Sequence, residues 1–381
     1  MSEQFETVDA GTLLLLVRQA TGRPGLELGE WSWLPIQGGA GEGLGVYRYL
    51  GQAVDQGELV NWSLILKNFG ESAEATPLTT WNYWRREVDV YQSDFLTNLP
   101  GGIHAPQCFA VQEQGQGRIG LWLEDIVGDK LEWSIADYGQ VAYDFGRFNG
   151  FYLTAQPIPT YPWLSQQWLR GFVERNAPAI ALLQQNLDHP WVKRVYQPEV
   201  AKNLFQLWAD RDWYFQVLER LPQTLCHMDA FRRNLFIRQA SVANQETVAV
   251  DWAFVGPGAV GEELVALIEA SIGFMEVDVS NALELQKQVL EGYLAGLSDA
   301  GWQGDPRQVR LGYTAAASLR FTIGLLVIVP SILDEQVHPI IEQFFKKPMG
   351  EICDYWAELF RQSTNRLPVE ARKLAQDLGL A

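Results

Sequence analysis

His227-Met228-Asp229-Ala230-Phe231-Arg232-Arg233-Asn234 sets an acid and an amide five positions apart, with Thr224-Leu225-Cys226 before the segment and Leu235-Phe236-Ile237 after it. Short apolar runs bounded by polar residues predict buried strands joined by a turn, so Asp229 and Asn234 emerge from one loop. Seventeen residues after Asn234, Asp251 closes another apolar run, Val248-Ala249-Val250.

An H-x-D-x-x-x-x-N loop followed by an aspartate at a strand end fits the chemistry of phosphoryl transfer. A hydroxyl nucleophile must be aligned with the terminal phosphate and lose its proton, which calls for a carboxylate beside it. Asp229 is the candidate base. Magnesium takes oxygen ligands, and one amide oxygen plus one carboxylate hold it without overwhelming the charge of a nucleotide. Asn234 and Asp251 are the candidate ligands, and His227 is expected behind the loop, orienting backbone and metal-site groups. The plainer reading is a turn whose Asp and Asn serve local backbone hydrogen bonds.

With these residues the chain resembles the aminoglycoside phosphotransferase and choline kinase-like superfamily. Val250-Asp251-Trp252 agrees with its Ile-Asp-Trp or Ile-Asp-Phe segment, and Gly256-Pro257-Gly258 with Glu262-Glu263-Leu264 resembles the following turn and acidic helix start. Met228 stands where that family usually has Gly or Asn. The resemblance implies an α+β, two-lobed protein-kinase-like fold with an antiparallel-sheet amino-terminal lobe and a helical carboxyl-terminal lobe. It also implies ATP as phosphate donor, with GTP as the alternative, magnesium, and a small-molecule hydroxyl acceptor.

The upstream half of that template has its own candidates. Lys67 closes the apolar stretch Trp62 to Leu66, and Glu87 lies on the helix predicted next. An ion pair between them would aim the ammonium at the phosphates, although either residue alone reads equally as a solvated surface charge. Glycines 38, 39, 41, 43 and 45 lie between the first two predicted strands, where Gly41 and Gly43 would let backbone approach phosphate or simply form a hairpin turn. The strand Ile119 to Leu123 runs into Glu124-Asp125-Ile126, which resembles an inter-lobe hinge. Its backbone would pair with adenine, leaving Glu124 or Asp125 near the ribose or in water. Arg232, or its neighbour Arg233, would either stabilise charge on the moving phosphoryl group or brace the loop through an ion pair.

Hydrophobic periodicity predicts a first helix over Val8 to Ala20, three strands to Phe69, one long helix from about Leu78 to Leu99, and two more strands to Leu123. Helical patterns follow at 134 to 155, 164 to 186 and 198 to 220, then the strand-rich island with the loop, then helices at 262 to 274, 279 to 299, 306 to 329 and 349 to 378. The expected division is a sheet lobe over 1–123, a hinge over 124–127 and a helical lobe over 128–381.

Among 381 residues, 47% are apolar and 20% charged, ample core material for two lobes around a cleft. A formal net charge of -17 repels nucleic acid and anionic membrane surfaces and favours a cationic acceptor, or reflects ordinary solubility. Three widely spaced cysteines suggest neither a disulfide framework nor a zinc site and fit a reducing cytoplasm. The amino terminus lacks a basic region, and the apolar run Phe321 to Leu333 is short for a bilayer, so neither export nor membrane insertion is expected. Trp208, Trp213, Trp302 and Tyr313 read as core or as a cage for a cation. After Asp251-Trp252 no Ala-Pro-Glu activation segment appears, which favours compact acceptors over proteins. The rival reading is a catalytically silent nucleotide-binding module.

Overall fold

A computed structural model describes residues 8–36, 43–71, 77–127, 130, 132–241 and 244–380. Helix α1 (Ala10–Thr21) is opened by Asp9, whose carboxylate accepts from Thr12 N–H at 2.9 Å, and closed by Gly22 at φ 66°. Strands β1 (Glu27–Ile36), β2 (Gly43–Asp55) and β3 (Glu58–Gly70) follow, then helix α2 (Arg86–Gln92), the two-residue β4 (Ile103–His104), β5 (Cys108–Gly115) and β6 (Arg118–Glu124). Their five-stranded antiparallel sheet has the order β1-β2-β3-β6-β5.

Alternation along β3 explains the layers: Trp62, Leu64 and Leu66 pack under α1, whereas Phe69 joins the smaller cluster around Val88 of α2. Lys67 therefore sits on the central strand, paired in register with Val46 and Leu121.

The long helix predicted over Leu78 to Leu99 is not formed. Only Arg86–Gln92 is α-helical, with a 3₁₀ turn at Phe95–Asn98. The segment before that helix runs in turns, Thr80 N–H to Pro77 O and Tyr83 N–H to Thr80 O, and the buried Arg86 side chain holds the carbonyls of Leu78, Thr80 and Trp81 around itself.

Beyond β6 the chain is chiefly helical: α3 (Ile135–Thr154), α4 (Trp168–Glu174), α5 (Ala177–Gln185), α6 (Pro190–Val195), α7 (Pro198–Ala209) and α8 (Arg211–Arg220). A strand-rich island comprises β7 (Gln223–Cys226), β8 (Leu235–Ser241), β9 (Asn244–Ala249) and β10 (Gly256–Ala259). Helices then resume as α9 (Ser271–Gly273), α10 (Ala282–Asp299), α11 (Pro306–Arg320), α12 (Val329–Leu333), α13 (His338–Phe345) and α14 (Met349–Asp377).

The predicted helix at 164 to 186 is two helices, with Pro178 starting the second, and the one at 262 to 274 is helical over 264–273 with a π-helical turn at Ala266–Ala270. Strand β4, too short to show a pattern, pairs in parallel with β9, so residues 103 and 104 belong to the helical lobe's sheet. The stretch Pro306–Leu333 is long and apolar enough to cross a membrane by length and composition, yet 61% of its most apolar window is buried inside the protein. A core helix has that character.

The site is held from behind by α3. Asn149 donates to Leu225 O at 2.7 Å and its own carbonyl accepts from Thr224 Oγ1 at 2.7 Å, fixing β7 just before the loop. Close packing of α3 on α10 needs glycine: a Cβ at Gly146 would lie 2.2 Å from Tyr293 O.

Candidate active site

The loop between β7 and β8 is fixed by buried hydrogen bonds. Glu263 accepts from His227 N–H at 2.6 Å and from Met228 N–H at 3.1 Å. Burial pushes its carboxyl up to about 7, and those two N–H groups pull the other way. Met228 adopts φ 69°, the left-handed region, which explains why glycine or asparagine suits this position. Its side chain is buried against Gly258, where a Cβ would come within 2.3 Å of Met228 Cε.

His227 is fully buried and packs edge-on against Trp252. Its Nδ1 accepts from Asp229 N–H at 3.2 Å, so Nε2 carries the proton and donates to Val250 O at 3.0 Å. Burial lowers its pKa to about 4, which keeps the imidazole neutral. The ring thus ties the loop bearing Asp229 to the strand end bearing Asp251.

Asn234 donates through Nδ2 to Asp229 O at 3.1 Å and to Asp229 Oδ2 at 3.0 Å. Both partners only accept, so the amide orientation is fixed and its oxygen is turned away from the base. Asp251 sits at φ 63°, with Oδ1 3.1 Å from Lys67 Nζ. The same ammonium pairs with Glu87. Burial works against charge on Lys67, but Asp251 and Glu87 outweigh it and hold its pKa above the ordinary range. One cation therefore joins the central strand, α2 and the loop after β9.

The donor set suits magnesium: one amide oxygen from Asn234 and the second carboxylate oxygen of Asp251, with a nucleotide's phosphates completing the shell. Among the described residues no group of three or more His, Cys, Asp or Glu makes a cage for a metal by itself.

The other candidates are placed as follows. Gly41 lies outside the described residues, and Gly43 opens β2 opposite Phe69. Glu124 accepts from Gln107 N–H at 3.1 Å and from Arg238 at 2.8 Å, and Asp125 pairs with Arg48 at 2.8 Å, so both hinge acids brace the hinge. Ile126 is buried, and among the described residues its backbone N–H and C=O make no hydrogen bond. Arg232 donates to Leu235 O and Lys130 O, each at 2.9 Å, and lies over Trp133. Arg233 pairs with Glu276 at 2.8 Å. Tyr313 is fully buried and donates to Glu269, while Trp208 and Trp213 lie under Arg211 and Arg372. No ring contact joins any two of the four proposed cage aromatics among the described residues.

Two arginines escaped the sequence reading. Arg320, the last residue of α11, contacts Asp229 Oδ1 through Nη2 at 3.0 Å. Arg86, beside Glu87, is fully buried among backbone carbonyls of both lobes. No local pattern announces either: Arg320 acts on a residue 91 positions away, and Arg86 reaches Trp163 and Ala253 as well as its near neighbours.

A sheet lobe, a helical lobe and these polar residues between them define a protein-kinase-like phosphotransfer fold. The chain belongs to the phosphotransferase enzyme family, whose family model matches residues 85–310. Among solved structures it is similar to a microcompartment-associated aminopropanol kinase, at 14% identity and TM-score 0.55, covering 96% of this chain and 100% of that one. It is also similar to a choline kinase from Cryptosporidium parvum Iowa II, at 13% identity and TM-score 0.52, covering 98% of both chains. An amicoumacin kinase solved with AMP-PNP and Ca2+ aligns at 14% identity and TM-score 0.50, over 91% of this chain and 94% of that one. No curated protein sequence matches the chain.

Proposed function

We propose that this phosphotransferase is a small-molecule kinase that moves the terminal phosphate of ATP, with GTP as the alternative donor, to a hydroxyl of a compact acceptor. The observation that carries this reading is the position of Lys67, which reaches from the central strand of the sheet lobe to pair with both Glu87 and, beyond the loop that bears Asp229, Asp251 of the helical lobe. A lysine so placed aligns phosphates.

In this reading the backbone of Ile126 meets the adenine edge and Lys67 holds the phosphates. Magnesium at Asn234 and Asp251 would neutralise charge building on the β- and γ-phosphates. Asp229 accepts the acceptor hydroxyl's proton as its oxygen attacks phosphorus. Asn234 holds Asp229 Oδ2, and His227 fixes the backbone of the loop.

The net charge of -17 favours a cationic acceptor, and two structural neighbours, an aminopropanol kinase and a choline kinase, are named for amino alcohols. The AMP-PNP and Ca2+ in a third support nucleotide and divalent-metal use. We place the protein in the cytoplasm, a compartment that suits the free thiols of Cys108, Cys226 and Cys353.

The test is ADP release with magnesium and ATP across amino alcohols, aminoglycosides, sugars and macrolides. Acceptor-stimulated, magnesium-dependent release supports the proposal. Nucleotide binding without release for any acceptor would make the chain a silent module.

A further inference from the structure

Phosphoryl transfer spreads negative charge over three equatorial oxygens, and donors aimed at them supply much of the catalysis. The two arginines inside the loop are engaged elsewhere, Arg232 with Leu235 O and Lys130 O and Arg233 with Glu276. The cation that touches the base arrives instead from the end of α11.

Arg320 has four properties that matter. Its Nη2 lies 3.0 Å from Asp229 Oδ1, and its guanidinium lies over the Trp168 ring, 4.5 Å from the centroid. Its side chain is only 11% exposed. Its Nη1 is shielded and makes no hydrogen bond among the described residues. A buried donor without a partner is costly, so an idle guanidinium nitrogen here calls for an oxygen from outside the chain.

In the end fork of a guanidinium one Nη1 hydrogen runs parallel to one on Nη2, so an oxygen bound there would lie beside Asp229 Oδ1, next to the proposed base. Glu262 and Glu263 also feel the charge of Arg320, but their carboxylates accept from the backbone N–H groups of Ala259, His227 and Met228. Neither carboxylate hydrogen-bonds to Arg320.

We propose that Arg320 contacts the transferring phosphoryl group, with Nη2 steadying Asp229 while Nη1 donates to an equatorial phosphoryl oxygen. This rests on the kinase reading above. The acceptor oxygen forms its bond to the γ-phosphorus as the bond from phosphorus to the β,γ-bridging oxygen breaks. The hydroxyl proton passes to Asp229, and ADP leaves with the electron pair. Arg320 exchanges no proton and stabilises charge throughout.

The test compares wild type with Arg320→Met and Arg320→Lys for magnesium-dependent affinity toward ADP alone and toward ADP with aluminium fluoride, which mimics the phosphoryl group in flight. ADP affinity should stay within about threefold, while the extra affinity given by fluoride drops about a hundredfold in the Met variant and less in the Lys variant. With a working acceptor, kcat should fall about 10²–10³-fold at constant KM for ATP. Should Arg320→Met fail to fold, Arg320→Lys still reports, because an ammonium preserves the charge but not the fork. Unchanged fluoride affinity in the variants would overturn the proposal and leave Arg320 a brace for Asp229. So would a loss confined to acceptor KM. Absence of ADP binding in wild type would instead overturn the kinase reading itself.

Discussion

Arg86 Nη1 donates to Ala253 O at 2.7 Å and joins the helix that carries Glu87 to the turn just after Asp251. The remaining donors of this guanidinium go to Trp163 O at 2.7 Å, Trp81 O and Leu78 O, each at 3.1 Å, and Thr80 O. Burial pulls its pKa down to about 10, so it stays charged at neutral pH without a carboxylate partner. Arg86→Met strands the carbonyls of Leu78, Trp81, Trp163 and Ala253, each costing about 1–3 kcal/mol before relaxation, whereas Thr80 O keeps the Tyr83 N–H. Urea unfolding should show a loss of about 3 kcal/mol or more, and Arg86→Lys should recover part of it because an ammonium has three donors. A loss under about 1 kcal/mol would show that these contacts do not hold the lobes together.

Met228 sets two effects against each other. Glycine at φ 69° would relieve about 1–2 kcal/mol of left-handed strain, but deleting a buried methionine side chain costs about 2–5 kcal/mol. Met228→Gly should therefore be destabilising on balance. The same substitution should rescue Gly258→Ala, whose new Cβ would meet Met228 Cε at 2.3 Å. A double-mutant cycle in thermal unfolding checks this, and strictly additive effects would mean that the two positions do not share space.

The loop was legible in the sequence because its chemistry is local: Asp229 and Asn234 are five positions apart, and their hydrogen bond closes within one turn. Lys67, Glu87 and Asp251 were legible only as an order along the chain, and their meeting at one ammonium is a tertiary fact. Arg86 misled the sequence reading for the opposite reason. The pattern from Leu78 to Leu99 suits a helix, but its first part folds as turns around a buried guanidinium that holds the carbonyls of Leu78, Thr80 and Trp81. Arg320 was invisible, since a basic residue ending an apolar helix reads as an ordinary C-terminal charge. The hinge acids were read as nucleotide neighbours or solvated groups, whereas Arg238 and Arg48 engage them.

Lys67→Met leaves Glu87 buried beside an apolar stem. Burial already pushes the Glu87 carboxyl upward, so it should take up a proton and limit the loss of stability. Turnover should fall about a hundredfold through misplaced phosphates. Glu87→Gln should cost less, and the double variant should lose less than the sum of the two in kcat. Full additivity would mean that Lys67 and Glu87 do not act as a unit.

Burial pushes the Asp229 carboxyl up to about 6, with Arg320 and Asn234 opposing the shift and Asp251 adding to it. A general base works ionised, so kcat/KM should rise about tenfold per pH unit to near pH 6 and level off above it. His227, already neutral there, should not contribute. A profile flat down to about pH 4.5 would contradict the role of Asp229 as the titrating base.

Asp229→Asn replaces the carboxylate with a neutral amide of nearly the same size, so magnesium-ATP affinity and acceptor-stimulated ADP release measured on one preparation test the central claim most directly. Nucleotide affinity should stay near that of wild type while turnover falls by about two to four orders of magnitude. Turnover close to wild type would show that Asp229 is not the base.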